Sequence, residues 1–81
     1  MMAITIVFLG KLADHAGEPS REVPAPLDWA QLLASLEPDL AQAVTADTVR
    51  IAVNGTLLAD KTALDAKDGA EIALLPPVSG G

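Results

Sequence analysis

A strand-like run, Ile72-Ala73-Leu74-Leu75, ends on two consecutive prolines, Pro76-Pro77, and this junction limits the possible folds more than any other feature. Proline offers no backbone N–H to a sheet ladder and fixes its own φ, so the strand must stop there. The chain then leaves the sheet as a stiff extended arm, which continues as Val78-Ser79-Gly80-Gly81. Glycine has no Cβ, so Gly80-Gly81 fits a channel too narrow for any other residue. Six extended residues at about 3.3–3.6 Å each reach roughly 20 Å. The pattern implies a compact body over residues 1–75 and a slim, flexible tail over 76–81. The working group of that tail is the terminal carboxylate of Gly81.

Upstream, local signals order the body. Ile4-Thr5-Ile6-Val7-Phe8-Leu9 is β-rich, and period-2 alternation puts Ile4, Ile6 and Phe8 on one face. A loop over 10–19 follows, with Gly17 and Pro19 as turn signals, and Arg21-Glu22-Val23 returns as a short strand. Asp28 is a good helix N-cap, and Gln31 stands where a capping box needs it, with Leu27 and Leu32 placed as a hydrophobic staple. Trp29, Leu32, Leu33 and Leu36 then follow the spacing of one apolar helix face, and Pro38 is expected to stop that helix. A short helical turn over 39–44 pairs Leu40 with Val44. Val49 to Val53 reads as a strand, Asn54-Gly55 as a hairpin turn and Thr56-Leu57-Leu58 as its partner. Asp68-Gly69 marks the turn before the last strand, Ala70 to Leu75. One helix crossing a mixed sheet of four to five strands is an α+β layer architecture.

Size and charge narrow the functions. Eighty-one residues make one domain, and 51% of them are hydrophobic, yet the only aromatics are Phe8 and Trp29. A core of Leu, Ile, Val and Ala cannot hide all of that surface in so small a body, so an exposed apolar patch is expected. If Ile4, Ile6, Phe8, Ile72 and Leu74 face the helix, the opposite sheet face carries Thr5, Val7, Leu9, Ala73 and Leu75. That face should alternate to polar if it met only water. Its apolarity marks it as the docking surface, with Leu9, Leu57 and Leu75 the candidate partner-binding residues.

The formal net charge of −6 argues against nucleic acid and against anionic membrane surfaces, and it favours a partner with a basic docking face. No apolar stretch approaches the roughly 20 residues of a membrane span, and the N-terminus lacks a signal-peptide pattern. These readings place the protein in the cytoplasm. The absence of cysteine excludes disulfides, thiolate metal sites and a cysteine nucleophile.

The remaining reactive side chains form no site. His15 is the only histidine and reads as a solvated loop residue beside Asp14, not a metal ligand. Asp60, Asp65, Asp68 and Glu71 do not follow a calcium-loop spacing and read as turn and surface carboxylates. Gly10-Lys11 lacks the rest of a phosphate loop, which leaves Lys11 as a surface charge open to a partner contact. Ser20, Ser35 and Ser79 have no motif-placed base. No metal or bound cofactor is implied.

Three segments together carry a resemblance. The run from Asp68 to Gly81 is similar to the C-terminal signature of the molybdopterin synthase small-subunit family, the MoaD-type sulfur carriers of ubiquitin-like β-grasp fold. Ile6-Val7-Phe8-Leu9-Gly10-Lys11-Leu12 and Ile51-Ala52-Val53-Asn54-Gly55 support it, so the resemblance spans essentially the whole chain. The chain departs from the family at Ala70, often acidic there, at Ala13, near a frequent arginine, and at Leu9 and Leu75, often aromatic.

The resemblance implies a cycle on the main-chain terminus. An E1-like (MoeB-type) enzyme adenylates Gly81 with ATP, and a sulfur donor system converts the adenylate to a thiocarboxylate. The loaded tail, Pro76, Pro77, Val78, Ser79, Gly80 and Gly81, enters the MoaE-type large subunit of a heterotetrameric synthase. It delivers sulfur there to a cyclic pyranopterin monophosphate during molybdenum cofactor biosynthesis. In that scheme the chain is a noncatalytic sulfur donor, and the catalytic groups lie on its partners. Two alternatives share the same activated carboxylate. One is a carrier for another product such as the thiamine thiazole, and the other is a ubiquitin-like modifier that joins Gly81 to lysines.

Overall fold

The computed structural model describes residues 3–77. β-Branched residues with alternating burial build the first strand, β1 (Ala3–Phe8), in which Ile4, Ile6 and Phe8 are buried and their neighbours are half-buried. β1 pairs antiparallel with β2 (Ser20–Pro24), Ile4 opposite Val23. It pairs parallel with the last strand, β7 (Glu71–Leu75), Ile6 opposite Ile72. The Asn54-Gly55 turn, both residues at positive φ, joins β4 (Arg50–Val53) to β5 (Thr56–Leu57) as the hairpin signal predicts. Asn54 also holds this hairpin to β7: its N–H donates to the Glu71 carbonyl (2.8 Å) and its Oδ1 accepts from the Glu71 N–H (2.9 Å). The sheet order is β2-β1-β7-β4-β5, with β7 in the centre.

Three short helices cover one face, where the sequence patterns predict one main helix. The segment expected to be a loop contains α1 (Lys11–Ala16), which buries Leu12 and ends on Gly17 in the left-handed region. The capping box opens α2 (Trp29–Ala34) as read: Asp28 accepts from the Gln31 N–H (2.8 Å), and the Asp28 N–H donates back to Gln31 (3.1 Å). α2 stops at Ala34, so the buried Leu36 lies beyond its end, and Pro38 does not terminate that helix. Pro38 instead begins α3 (Pro38–Thr45), the longest of the three, where its missing N–H costs nothing. A further two-stranded sheet, β3 (Leu27–Asp28) with β6 (Asp65–Ala66), and a 3₁₀ turn over Lys61–Ala63 had no period to announce them.

The core lies between helices and sheet, where Ile4, Ile6, Ile51, Ile72 and Leu74 meet Leu32, Leu40 and Val44, all without solvent exposure. Trp29 and Leu33 are only half-buried against it. Two cations tie the helices down. Arg21 donates to Glu18 (2.7 Å), to Glu37 (3.0 and 3.2 Å) and to the Ser35 carbonyl (3.1 Å), and it lies over the Phe8 ring at 5.4 Å. Lys61 Nζ donates to the carbonyls of Val44 (2.8 Å), Val49 (2.9 Å) and Ala46, closing the end of α3. A cation there also opposes the negative pole of the helix.

Candidate functional site

The candidate site is the root of the tail. β7 carries the chain past Leu75 to Pro76, half-buried, and Pro77, exposed. Alongside, the Leu9 N–H donates to the Leu74 carbonyl (3.3 Å), so the exit from β1 runs beside the exit from β7. Gly10 follows at φ +54°, ψ −131°, a conformation that L side chains rarely adopt. A Cβ placed there would stand 3.1 Å from the Pro76 ring, tighter than ordinary packing. Glycine is needed twice over, for the turn into α1 and for the seat of Pro76.

Two grooves flank this root, and Thr48, Pro76 and Pro77 line both. The larger, about 650 Å³, lies between α1 and the end of α3 and is lined mainly by apolar atoms, with Lys11 and His15 on one wall. The smaller, about 500 Å³, opens toward the outer sheet face and includes Arg50, Leu57 and Leu75. Val7, Ala73, Ala52 and Leu57 stand in register across four strands of that face.

The structure sets the expected residues apart by exposure. Leu9 (39%) and Leu57 (54%) are the exposed large hydrophobics of the described residues, whereas Leu75 is half-buried. Leu57 and Leu75 share the smaller groove, and Leu9 stands at the other side, next to Gly10. Thr5, Val7 and Ala73 are half-exposed, as a sheet face with only its own neighbours would leave them. Val78, Ser79, Gly80 and Gly81, expected to carry the chemistry, lie outside the described residues.

Sequence reasoning missed Gly10, Thr48 and Ala52. Gly10 was visible as a glycine beside a strand end, but its neighbour Pro76 comes from the other end of the chain.

Several of the other polar groups have structural employment, His15 excepted. His15 is exposed on α1 and lines the larger groove; it is not a loop residue. Asp60 caps the 3₁₀ turn, accepting from the Thr62 hydroxyl (2.6 Å) and N–H (3.0 Å), and these bonds hold its pKa below the usual aspartate value. Asp68 accepts from the Ala3 N–H (2.9 Å) and Asp65 faces Lys67 at 3.6 Å. The Ser35 hydroxyl donates to the Gln31 carbonyl. Among the described residues no group of three His, Cys, Asp or Glu could hold a metal ion, and no helix is long and apolar enough to cross a membrane.

Comparison with known proteins places this geometry. A chain of the complex of subunits 1 and 2 of molybdopterin-converting factor from Helicobacter pylori is similar, with 30% identity and a TM-score of 0.67. The match covers 99% of this chain and all of that one. The small archaeal modifier protein SAMP1 from Haloferax volcanii has 29% identity and a TM-score of 0.73, over 98% and 99% of the two chains. SAMP1 from Methanosarcina acetivorans has 26% identity and a TM-score of 0.78, over 100% and 98%. No curated protein sequence matches the chain. The ThiS family model matches residues 6–81, from the first strand through the glycine pair. A β-grasp sheet, a proline-stopped central strand and that match together make this chain a member of the ThiS family, within the ubiquitin-like MoaD/ThiS group.

Proposed function

We propose that the protein is a sulfur carrier and the small subunit of a molybdopterin synthase. The observation that carries this reading is the likeness to a chain of a two-subunit molybdopterin-converting factor along nearly the full length of both chains. The Pro-Pro-Val-Ser-Gly-Gly ending suits the same role. The Gly81 carboxylate attacks the α-phosphorus of ATP and releases pyrophosphate. Hydrosulfide released by a donor system then attacks the acyl carbon and expels AMP, which leaves a C-terminal thiocarboxylate. A glycine acyl group hinders neither step. In a MoaE-type partner the thiocarboxylate sulfur bonds to a carbon of a cyclic pyranopterin monophosphate and displaces an oxygen there. Water then cleaves the resulting acyl thioester, restoring the carboxylate and leaving the sulfur on the pterin. Proline at 76 and 77 limits the chain entropy lost as the tail inserts. The acid–base groups for these steps belong to the partners, and the cytoplasm supplies the ATP.

Likeness to two SAMP1 proteins supports a second reading, in which the activated Gly81 forms an amide with a lysine of another protein. Intact mass with C-terminal fragmentation, on protein isolated from its own cells, separates the two. Sulfur in place of oxygen at Gly81 is expected for a carrier. Gly81 found only in linkage to lysines of other proteins would defeat the carrier reading.

A further inference from the structure

The chain carries eleven acidic residues against five lysines and arginines. Two of the five cations are held within the fold, and a third makes an exposed pair at the surface. Arg21 is held by Glu18 and Glu37, Lys61 by three carbonyls, and Lys67 faces Asp65. The other two, Lys11 and Arg50, make no ion pair or side-chain hydrogen bond among the described residues, and both are exposed. They flank one feature. Lys11 lines the larger groove at the tail root, Arg50 lines the smaller, and Pro76 and Pro77 lie between them as walls of both.

The surroundings sharpen this placement. The larger groove has no carboxylate in its lining, and the smaller has one, Asp47. Asp68, whose carboxylate accepts from the Ala3 N–H, and Glu71 instead lie where β7 begins, at the opposite end of that strand. Charge therefore changes sign along β7, from acidic at its start to cationic where the tail leaves.

We infer that Lys11 and Arg50 form a cationic collar around the tail root, which docks on a carboxylate-bearing rim at the channel of the adenylating enzyme. The inference rests on the reading of Gly81 as an activated terminus, and it applies to carrier and modifier alike, because both begin with adenylation. Exposed charges are screened within about 8 Å at physiological ionic strength, so only cations beside the contact can act at close range. A body of net charge −6 is drawn to basic surface wherever it meets it, which does not set the register of the tail. Two cations astride Pro76-Pro77 set that register, by meeting acidic groups only when the tail points into the channel.

Carrier-dependent ATP–pyrophosphate exchange by the adenylating enzyme tests the collar. The wild type is compared with Lys11→Gln/Arg50→Gln and with Lys67→Glu. Each variant lowers the formal charge by two, from −6 to −8, the first by losing two cations and the second by exchanging a cation for a carboxylate. At low ionic strength the collar variant should raise KM for the carrier about tenfold, with kcat within about twofold of wild type. Lys67→Glu should leave both within about twofold. The difference should vanish in about 1 M salt, where the screening length falls to about 3 Å. Matching thermal unfolding of all three proteins excludes a folding effect.

Equal KM changes in the two variants would overturn the collar, since net charge alone would then act. So would an unchanged KM, or a fall in kcat alone, which would point to ATP phosphates rather than an enzyme rim. Wild-type protein that supports no exchange at all would defeat the activated-terminus reading itself, a different failure.

Discussion

The two faces of the central sheet are built from alternate residues of the same strands, yet they meet different surroundings. On the inner face Ile4, Ile6, Ile51, Ile72 and Leu74 are wholly enclosed by helices. On the outer face Thr5, Val7, Ala52, Ala73 and Leu75 are half-exposed, and Leu9 and Leu57 are open. The outer face also carries Ser20, Glu22, Glu71 and Arg50 in the same registers, but its row Val7, Ala73, Ala52 and Leu57 is apolar across four strands. Folding requires no such row, and it runs to Leu57, which shares a groove with Leu75 at the tail root, so it is the surface the proposed partner would cover.

Substitutions that separate stability from association would sharpen this contrast or break it. The largest effect is expected at the inner face. Ile72→Ala should cost about 2–5 kcal/mol in urea unfolding, since it empties a site in the middle of the sheet. A loss near zero there would mean that the two faces are not energetically distinct.

Gly10→Ala comes next, at about 1–3 kcal/mol, because it combines strained φ with a Cβ against Pro76. Thermal unfolding would expose the error if the variant matched wild type. Lys61→Met keeps the aliphatic stem but loses three carbonyl partners, and should cost about 1–3 kcal/mol by the same measurement.

Leu57→Asp on the outer face should leave unfolding within about 0.5 kcal/mol of wild type. The same variant should weaken binding to the proposed large subunit by about tenfold or more, read by calorimetry. Unchanged affinity would remove Leu57 from the docking surface.

The smallest effect concerns pH. Hydrogen bonding from Arg21 holds the Glu37 carboxyl below its ordinary value of 4.5. Folded protein therefore binds this proton less readily than unfolded chain. The stabilisation is complete above the ordinary value and is lost as pH falls through the lower folded one. Glu37→Gln should flatten the acid limb of Tm against pH, and an identical limb in both proteins would show that the pair contributes nothing.

Legibility in the sequence followed the range of the interactions. The alternation of β1, the Asp28–Gln31 box and the Asn54-Gly55 turn are contacts between residues a few positions apart, and each appears where local pattern puts it. The helix α1 was hidden, because Lys11 to Ala16 buries only Leu12 and so shows no apolar stripe. Pro38 was misread as a stop, since proline suits a first turn as well as a break. At the candidate site the apolar row of the outer face was legible, but the polar residues beside it and the division into exposed Leu9 and Leu57 and half-buried Leu75 were not.

By itself, the sequence determined the β-rich body, the proline stop after the last strand and the glycine pair at positions 80 and 81. These depend on backbone chemistry that proline and glycine impose in any context. Only the tertiary structure decided that Gly10 seats Pro76, that Lys61 closes α3 and that Lys11 and Arg50 stand astride the tail root. Each of those joins residues distant along the chain, and no local period or propensity encodes which distant residues the packed core will bring together.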